Sequence, residues 1–212
     1  MSSNRHTANS KSNLESFHRR HLILLFIFLV VSIWSAISPK TRIDWFLENI
    51  LVWLAFIAIL IFRNKIRLSD WSYIQVTVYL SLQVYASHYA YMPPIGMWIG
   101  HLIGSTRNDY DRLVHFCFGF LLFLPIKECF QNAFGLSRRV AIFCSLLIIG
   151  AGSAIYEIIE WLAALVLAPQ AAIDFLGSQG DVWDTQKDMA MAILGSLIMF
   201  FFVLIWPKTK KK

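Results

Sequence analysis

The chain has 212 residues, 57% of them hydrophobic and only 15% charged, with a mean hydropathy of +0.56. That balance excludes an ordinary water-soluble domain and points to several membrane spans in a single small bundle. The net charge of +6 does not indicate nucleic acid, because the basic residues sit in short runs at the ends of apolar segments, as topology control and anionic lipid head groups predict.

Residues 1–18 are polar and are expected to form a disordered cytoplasmic tail. Arg19, Arg20 and His21 open the first apolar segment, Leu22–Ser38. It reads as an uncleaved span rather than a signal peptide, since Pro39 would follow a cut made after Ala36 and Ser38. The later apolar segments are Phe46–Phe62, Tyr73–Tyr91, Leu113–Ile126, Val140–Ala168 and Met189–Trp206. Each except Leu113–Ile126 approaches the ~17–25 residues that cross a bilayer. That one is long enough only if Asp109–Arg112 is its first, polar turn. Val140–Ala168 contains Gly150, Gly152 and two glutamates, and is long enough to tilt, kink or project. Met92–Ser105 is apolar but broken by Pro93, Pro94 and three glycines. Two readings stay open for it: an interfacial or re-entrant piece with Trp98 at head-group depth, or an apolar loop packed over the bundle. Residues 169–180, with Pro169 and two glycines, form a loop. Cys117, Cys129 and Cys144 make no CxxC pair and read as small buried hydrophobes rather than a disulfide or a metal set.

The connections set the orientation. Fourteen of the nineteen Lys and Arg fall in the two tails and in the loops around Lys65 and Arg138, against five in the opposite connections. The positive-inside rule then gives six spans with both termini cytoplasmic. The fold expected is an all-α membrane protein: one domain of about six transmembrane helices over residues 19–207, with a basic cytoplasmic tail at 208–212. Ten of the thirteen carboxylates lie on the outer side, a skew that the insertion rule does not explain.

Those acids concentrate in three stretches. Asp181, Asp184 and Asp188 are spaced i, i+3, i+7, so a helix would carry them on one face, with Asp174 just before and Gly195 continuing the stripe. Asp109, Asp111, Arg112 and His115 precede or open the fourth span, with Asp111 and His115 at i, i+4 and Gly119 one turn further. Glu157 and Glu160 sit one turn apart in the outer half of the fifth span, where an anion is disfavoured and contact with lipid would be costly. A first-turn helix charge accounts equally well for Asp109, Asp111, Asp181 or Asp184 taken singly, and a packing role for His115. The convergence of all of them at one depth favours a shared polar site. Such a cluster stays net negative against His115 and Arg112, so either a divalent cation or a proton is expected there. The candidate metal ligands are Asp111, His115, Glu157, Glu160, Asp184 and Asp188.

YDRLVHFCFGF, YEIIEW and GSQGDVWDTQKDMAMAILG, which span much of the second half of the chain, resemble the YjdF-type family of bacterial inner-membrane proteins. More distantly, D-R-x-x-H-F, an acidic pair and D-x-x-x-D before a glycine look like the VanZ-like membrane proteins. Where that pattern has Lys after the first Asp and Asn ahead of the glycine, this chain has Arg112 and Ala192. The resemblance implies a membrane-protein class and no settled reaction.

Three functions remain open. One is an outer-leaflet site for a cation and a lipid or lipid-linked head group, with His115 and Glu157 or Glu160 as acid–base candidates and Arg107 and Arg112 available to a phosphate. Another is a small proton-coupled transporter. The third is an assembly partner in an envelope complex. There is no HExxH, GxSxG or P-loop.

Overall fold

The computed structural model describes residues 3–167 and 179–205, with side chains from Arg19 onward. Over these residues the chain is helical and contains no strand. The helices are α1 (Ser3–Ser35), α2 (Arg42–Ile66), α3 (Asp70–His88), α4 (Pro94–Leu102), α5 (Tyr110–Ala133), α6 (Arg138–Leu167) and α7 (Asp184–Ile205). The backbone is already helical from Ser3, inside the stretch expected to be disordered. The expected basic tail, Asp174 and Trp206 lie outside the described residues.

Four helices, α2, α5, α6 and α7, are long and apolar enough to cross a bilayer. α3 has a different composition because of where it sits. It is packed between α1, α2 and α5, and it buries Ser72, Gln75, Gln83 and Ser87 rather than showing them to lipid. α5 begins at Tyr110, so Asp111 and Arg112 do form its polar first turn. α6 runs unbroken past Gly150 and Gly152 for 30 residues. At a rise of about 1.5 Å per residue it is longer than a ~30 Å hydrocarbon core is thick. α4, at nine residues, covers only about 14 Å, less than half of that core.

The helices form two packed groups. Phe28, Val52, Val76, Leu80 and Val84 interlock α1, α2 and α3. Phe123, Ile142, Ile149, Ala192, Met199 and Val203 interlock α5, α6 and α7. Contacts of α3 with α5, around Ala86, Tyr110 and Val114, join the groups. Apolar burial has little driving force where lipid is the solvent, so close packing must hold the helices together. The α5–α7 pair shows how. Gly119 lies against the Ala192 carbonyl, and Gly195 lies against the Phe116 carbonyl, so close that a Cβ at either glycine would overlap backbone. Large apolar side chains such as Phe26, Ile61, Phe143 and Phe201 face outward.

The two ends of the bundle differ. At one end Arg20 meets Asp70 at 2.5 Å, and Glu128 accepts from the backbone N–H and the hydroxyl of Ser69. At the other end the Lys40 N–H donates to the His88 carbonyl, and most of the remaining acids gather. Every long helix runs from one of these ends to the other.

Candidate functional site

The acid-rich end is built by the connection between α4 and α5. α4 starts with Pro94 in its first turn, where a missing N–H costs nothing. It lays Gly96 and Gly100 against Asn108 and Arg107 so tightly that a side chain at either position would collide. The Asp109 N–H donates to the Gly96 carbonyl, and the Asn108 side chain donates to the Pro93 carbonyl at 2.8 Å. Asn108 and Gln179 clasp each other. The Asn108 N–H donates to Gln179 Oε1, and Gln179 Nε2 donates to the Asn108 carbonyl, both at 2.9 Å. This clasp brings the approach to α7 over the start of α5.

Two arginines then organise three aspartates. Arg107 forms a two-pronged pair with Asp184 and lies 3.5 Å from Asp109. Arg112 reaches Asp181 at 2.5 Å, Asp109 at 3.2 Å and Asp184 at 3.3 Å. Lys187 donates to Asp181 at 2.6 Å. Planar guanidinium groups suit such shared pairing, because each offers five donors in a fixed fork. The Lys187 hydrogen bond, joined by the Trp183 N–H, pulls the Asp181 carboxyl down to about 2. Burial alone would lower the Arg107 guanidinium, but the bond and charge of Asp184 outweigh it and hold it above its usual value.

Beneath this layer lies a second one, further along the helices. His115 is buried, with Nε2 3.6 Å from Asp111 Oδ1 and 3.3 Å from Glu157 Oε1. Its other nitrogen, Nδ1, is 3.4 Å from the Ser153 hydroxyl. Both carboxylate contacts are within ion-pair range but not aligned as hydrogen bonds, and Asp111 Oδ1, Glu157 Oε1 and Asp188 Oδ1 are buried without a hydrogen-bond donor. Beside His115, the Tyr156 hydroxyl donates to Glu48 at 2.6 Å and lies 3.3 Å from the Tyr91 hydroxyl, which donates to Gln83 at 2.8 Å.

The sequence-derived candidates therefore fall into two sets. Asp109, Arg112, Asp181 and Asp184 belong to the arginine network; Asp111, His115 and Glu157 form the inner group. Asp188 is buried on α7 within the electrostatic reach of Asp111 and His115, and Glu160 is half-buried within that of Asp111, Glu48 and Glu157. The expectation that Asp181 shares a helix face with Asp184 and Asp188 needs correcting. α7 begins at Asp184, and Asp181 lies in the preceding turn, where its carboxylate accepts the Trp183 N–H at 3.1 Å. A short acidic side chain that bonds the backbone two residues on competes with helix formation. Among the described residues no three His, Cys, Asp or Glu side chains converge as a metal would require. The two arginines expected to be available to a phosphate are engaged with Asp109, Asp181 and Asp184. Cys117, Cys129 and Cys144 are free and half-buried.

Sequence reasoning passed over Glu48, Ser153, Tyr91 and the Asn108–Gln179 clasp. Glu48 had a signal, being an acid in the outer half of a span like Glu157. Ser153 had none, because a lone serine in an apolar helix most often bonds its own backbone.

The chain matches, over residues 20–209, a family described as "Predicted membrane protein (DUF2238)". It belongs to this family. It is also 32% identical over 176 residues to the inner membrane protein YjdF of Escherichia coli (strain K12), an alignment that covers 82% of this chain and 84% of that protein. No solved structure matches it. The family and the apolar helices make it a multi-pass membrane protein.

Proposed function

We propose that this is a six-span bacterial inner-membrane protein with both termini in the cytoplasm, whose acid-rich end binds a lipid or lipid-linked head group at the outer leaflet. The fourteen-to-five distribution of basic residues supports the orientation, with α1 and α3 counted as spans alongside the four most apolar helices. α4 lies in the interface, and exposed Trp98, Trp161 and Trp183 at this end mark head-group depth.

The observation that carries the reading is the inner group. Asp111 Oδ1, Glu157 Oε1 and Asp188 Oδ1 are buried acceptors that take no hydrogen bond from the protein, the first two within ion-pair range of His115 Nε2 and Asp188 within its electrostatic reach. Leaving buried acceptors unpaired is costly, so a ligand offering ammonium or hydroxyl donors is what these oxygens suit. The inner membrane named for the Escherichia coli relative is a source of such head groups. His115, set between carboxylates and the Ser153 hydroxyl, is placed to pass a proton to or from the bound group. The transporter alternative has less support, because below His115 the residues along α5 are Phe118, Leu122 and Ile126, which offer a proton no path.

The test compares two lipids of equal charge. Protein released from nanodiscs containing phosphatidylethanolamine and phosphatidylcholine is weighed by native mass spectrometry. Phosphatidylethanolamine, which has N–H donors, should be retained roughly tenfold more, the equivalent of one charged hydrogen bond. The preference should vanish in Glu157→Gln combined with Asp188→Asn. Equal retention of the two lipids by the wild-type protein would overturn the reading.

A further inference from the structure

Below His115 the two helix groups stand apart. Beyond the Tyr156–Glu48 hydrogen bond, α2 and α3 do not pack on α6 among the described residues, and the gap between them, floored by α5, is a cavity of about 450 Å³. Its upper end is polar, with His115, Ser153, Tyr156, Tyr91 and Gln83. Below them it is lined by aliphatic and aromatic side chains such as Ile59, Leu80, Phe118, Leu122 and Ile126. It continues to Cys129, fourteen residues down α5 from His115, or about 21 Å of helical rise. We propose that this slot holds one aliphatic chain of a bilayer lipid whose head sits at the His115–Tyr156 end. The inference rests on the head-group reading above and assigns it a substrate class: an amphiphile recognised by chain as well as head.

Three features select the occupant. The slot lies between helices that cross the bilayer, and its rim carries exposed Leu51 and Ile155, so it opens toward hydrocarbon. Its volume spread over its length gives a mean cross-section of about 20 Å², near 5 Å across; a helix needs about 10–12 Å, so a helix from a second copy does not fit. Water needs two or more polar partners, and the lower part of the slot offers almost none. The depth also matches, because a lipid chain anchored at one face of a ~30 Å core reaches about 15 Å, within the length of the slot.

The experiment places the protein in nanodiscs containing a phosphatidylethanolamine with a diazirine at the end of one acyl chain. After irradiation the labelled residues are mapped by peptide mass spectrometry. Label should concentrate on Ile59, Leu122 and Ile126. Ala55→Trp, which fills the slot from α2, should cut that label roughly tenfold, as an overpacked site would. Leu54→Trp, one residue away and outward-facing, should leave it unchanged. If Ala55→Trp does not fold, the wild-type map alone decides. Label spread over outward-facing Leu54, Ile61 and Phe201, or a cross-link to a second copy, would overturn the slot. Slot label that persists without any preference between phosphatidylethanolamine and phosphatidylcholine would refute the head-group reading and leave the slot standing.

Discussion

Replacing Gly119 with alanine tests whether the α5–α7 contact holds the site together. A Cβ at position 119 would stand 2.8 Å from Ala192 C and from Ser196 N, and nearer still to the Ala192 carbonyl oxygen. Ordinary contact begins at 3.4 Å, every one of these neighbours is backbone, and the carbonyl oxygen is the nearest, so α7 must retreat by more than about 1 Å. Overpacking of this kind costs roughly 1–3 kcal/mol, and the better helix propensity of alanine returns about 0.8–1 kcal/mol. The net loss, up to about 2 kcal/mol, corresponds to a fall in Tm of up to roughly 8 °C for a chain of this length. Gly150 supplies the control. It is also in mid-helix, but a Cβ there would meet nothing within 4 Å, so Gly150→Ala should keep the propensity gain and melt at or slightly above the wild-type temperature. The assay is thermal unfolding in mild detergent, followed by tryptophan fluorescence. If Gly119→Ala melts at or above the wild type, or if the two variants move together, the close contact is not what holds α7 in place.

Cysteine labelling tests the orientation: Val182→Cys should react with a membrane-impermeant maleimide on intact spheroplasts, and Lys65→Cys only after permeabilisation. The reverse pattern would invert the topology. Arg112→Ala should lower stability by about 1.5–3 kcal/mol, because it removes the nearer of the two arginines beside Asp109, whose side chain is only 1% exposed, and leaves Arg107 in place; a change below about 1 kcal/mol, the range of an exposed pair, would show the network to be solvated. The Asp181 carboxyl falls from 3.8 to about 2 on folding, so its stabilising effect is complete above the unfolded value and is lost as pH drops through the folded one. Asp181→Asn should therefore flatten the stability profile between about pH 4 and pH 2, measured by unfolding at fixed temperature.

Much of the architecture is written in local pattern. Apolar runs near bilayer length specify the crossing helices, because in hydrocarbon each backbone group must bond within its own segment. The polar turn Asp109–Arg112 completes α5, and the i, i+4 and i+7 spacings that place His115, Gly119, Asp188 and Gly195 on their stripes follow from helical period alone. What period leaves open is the rotation of each helix against its neighbours. Only the meeting of Gly119 with Ala192, and of Gly195 with Phe116, turns the stripes of α5 and α7 inward against each other. That meeting decides that Asp184 answers to Arg107 and Arg112, more than seventy positions earlier, while Asp111 and Glu157 are left to His115. The same holds for Asp181, whose spacing fits a helix but whose bond to the Trp183 N–H keeps it in the turn. Glu48, Ser153 and Tyr156 reach the inner group from α2 and α6, and the cavity exists because, below the Tyr156–Glu48 hydrogen bond, those two helices do not close on each other. Contacts of that range depend on the packing of several helices at once, which no single segment encodes.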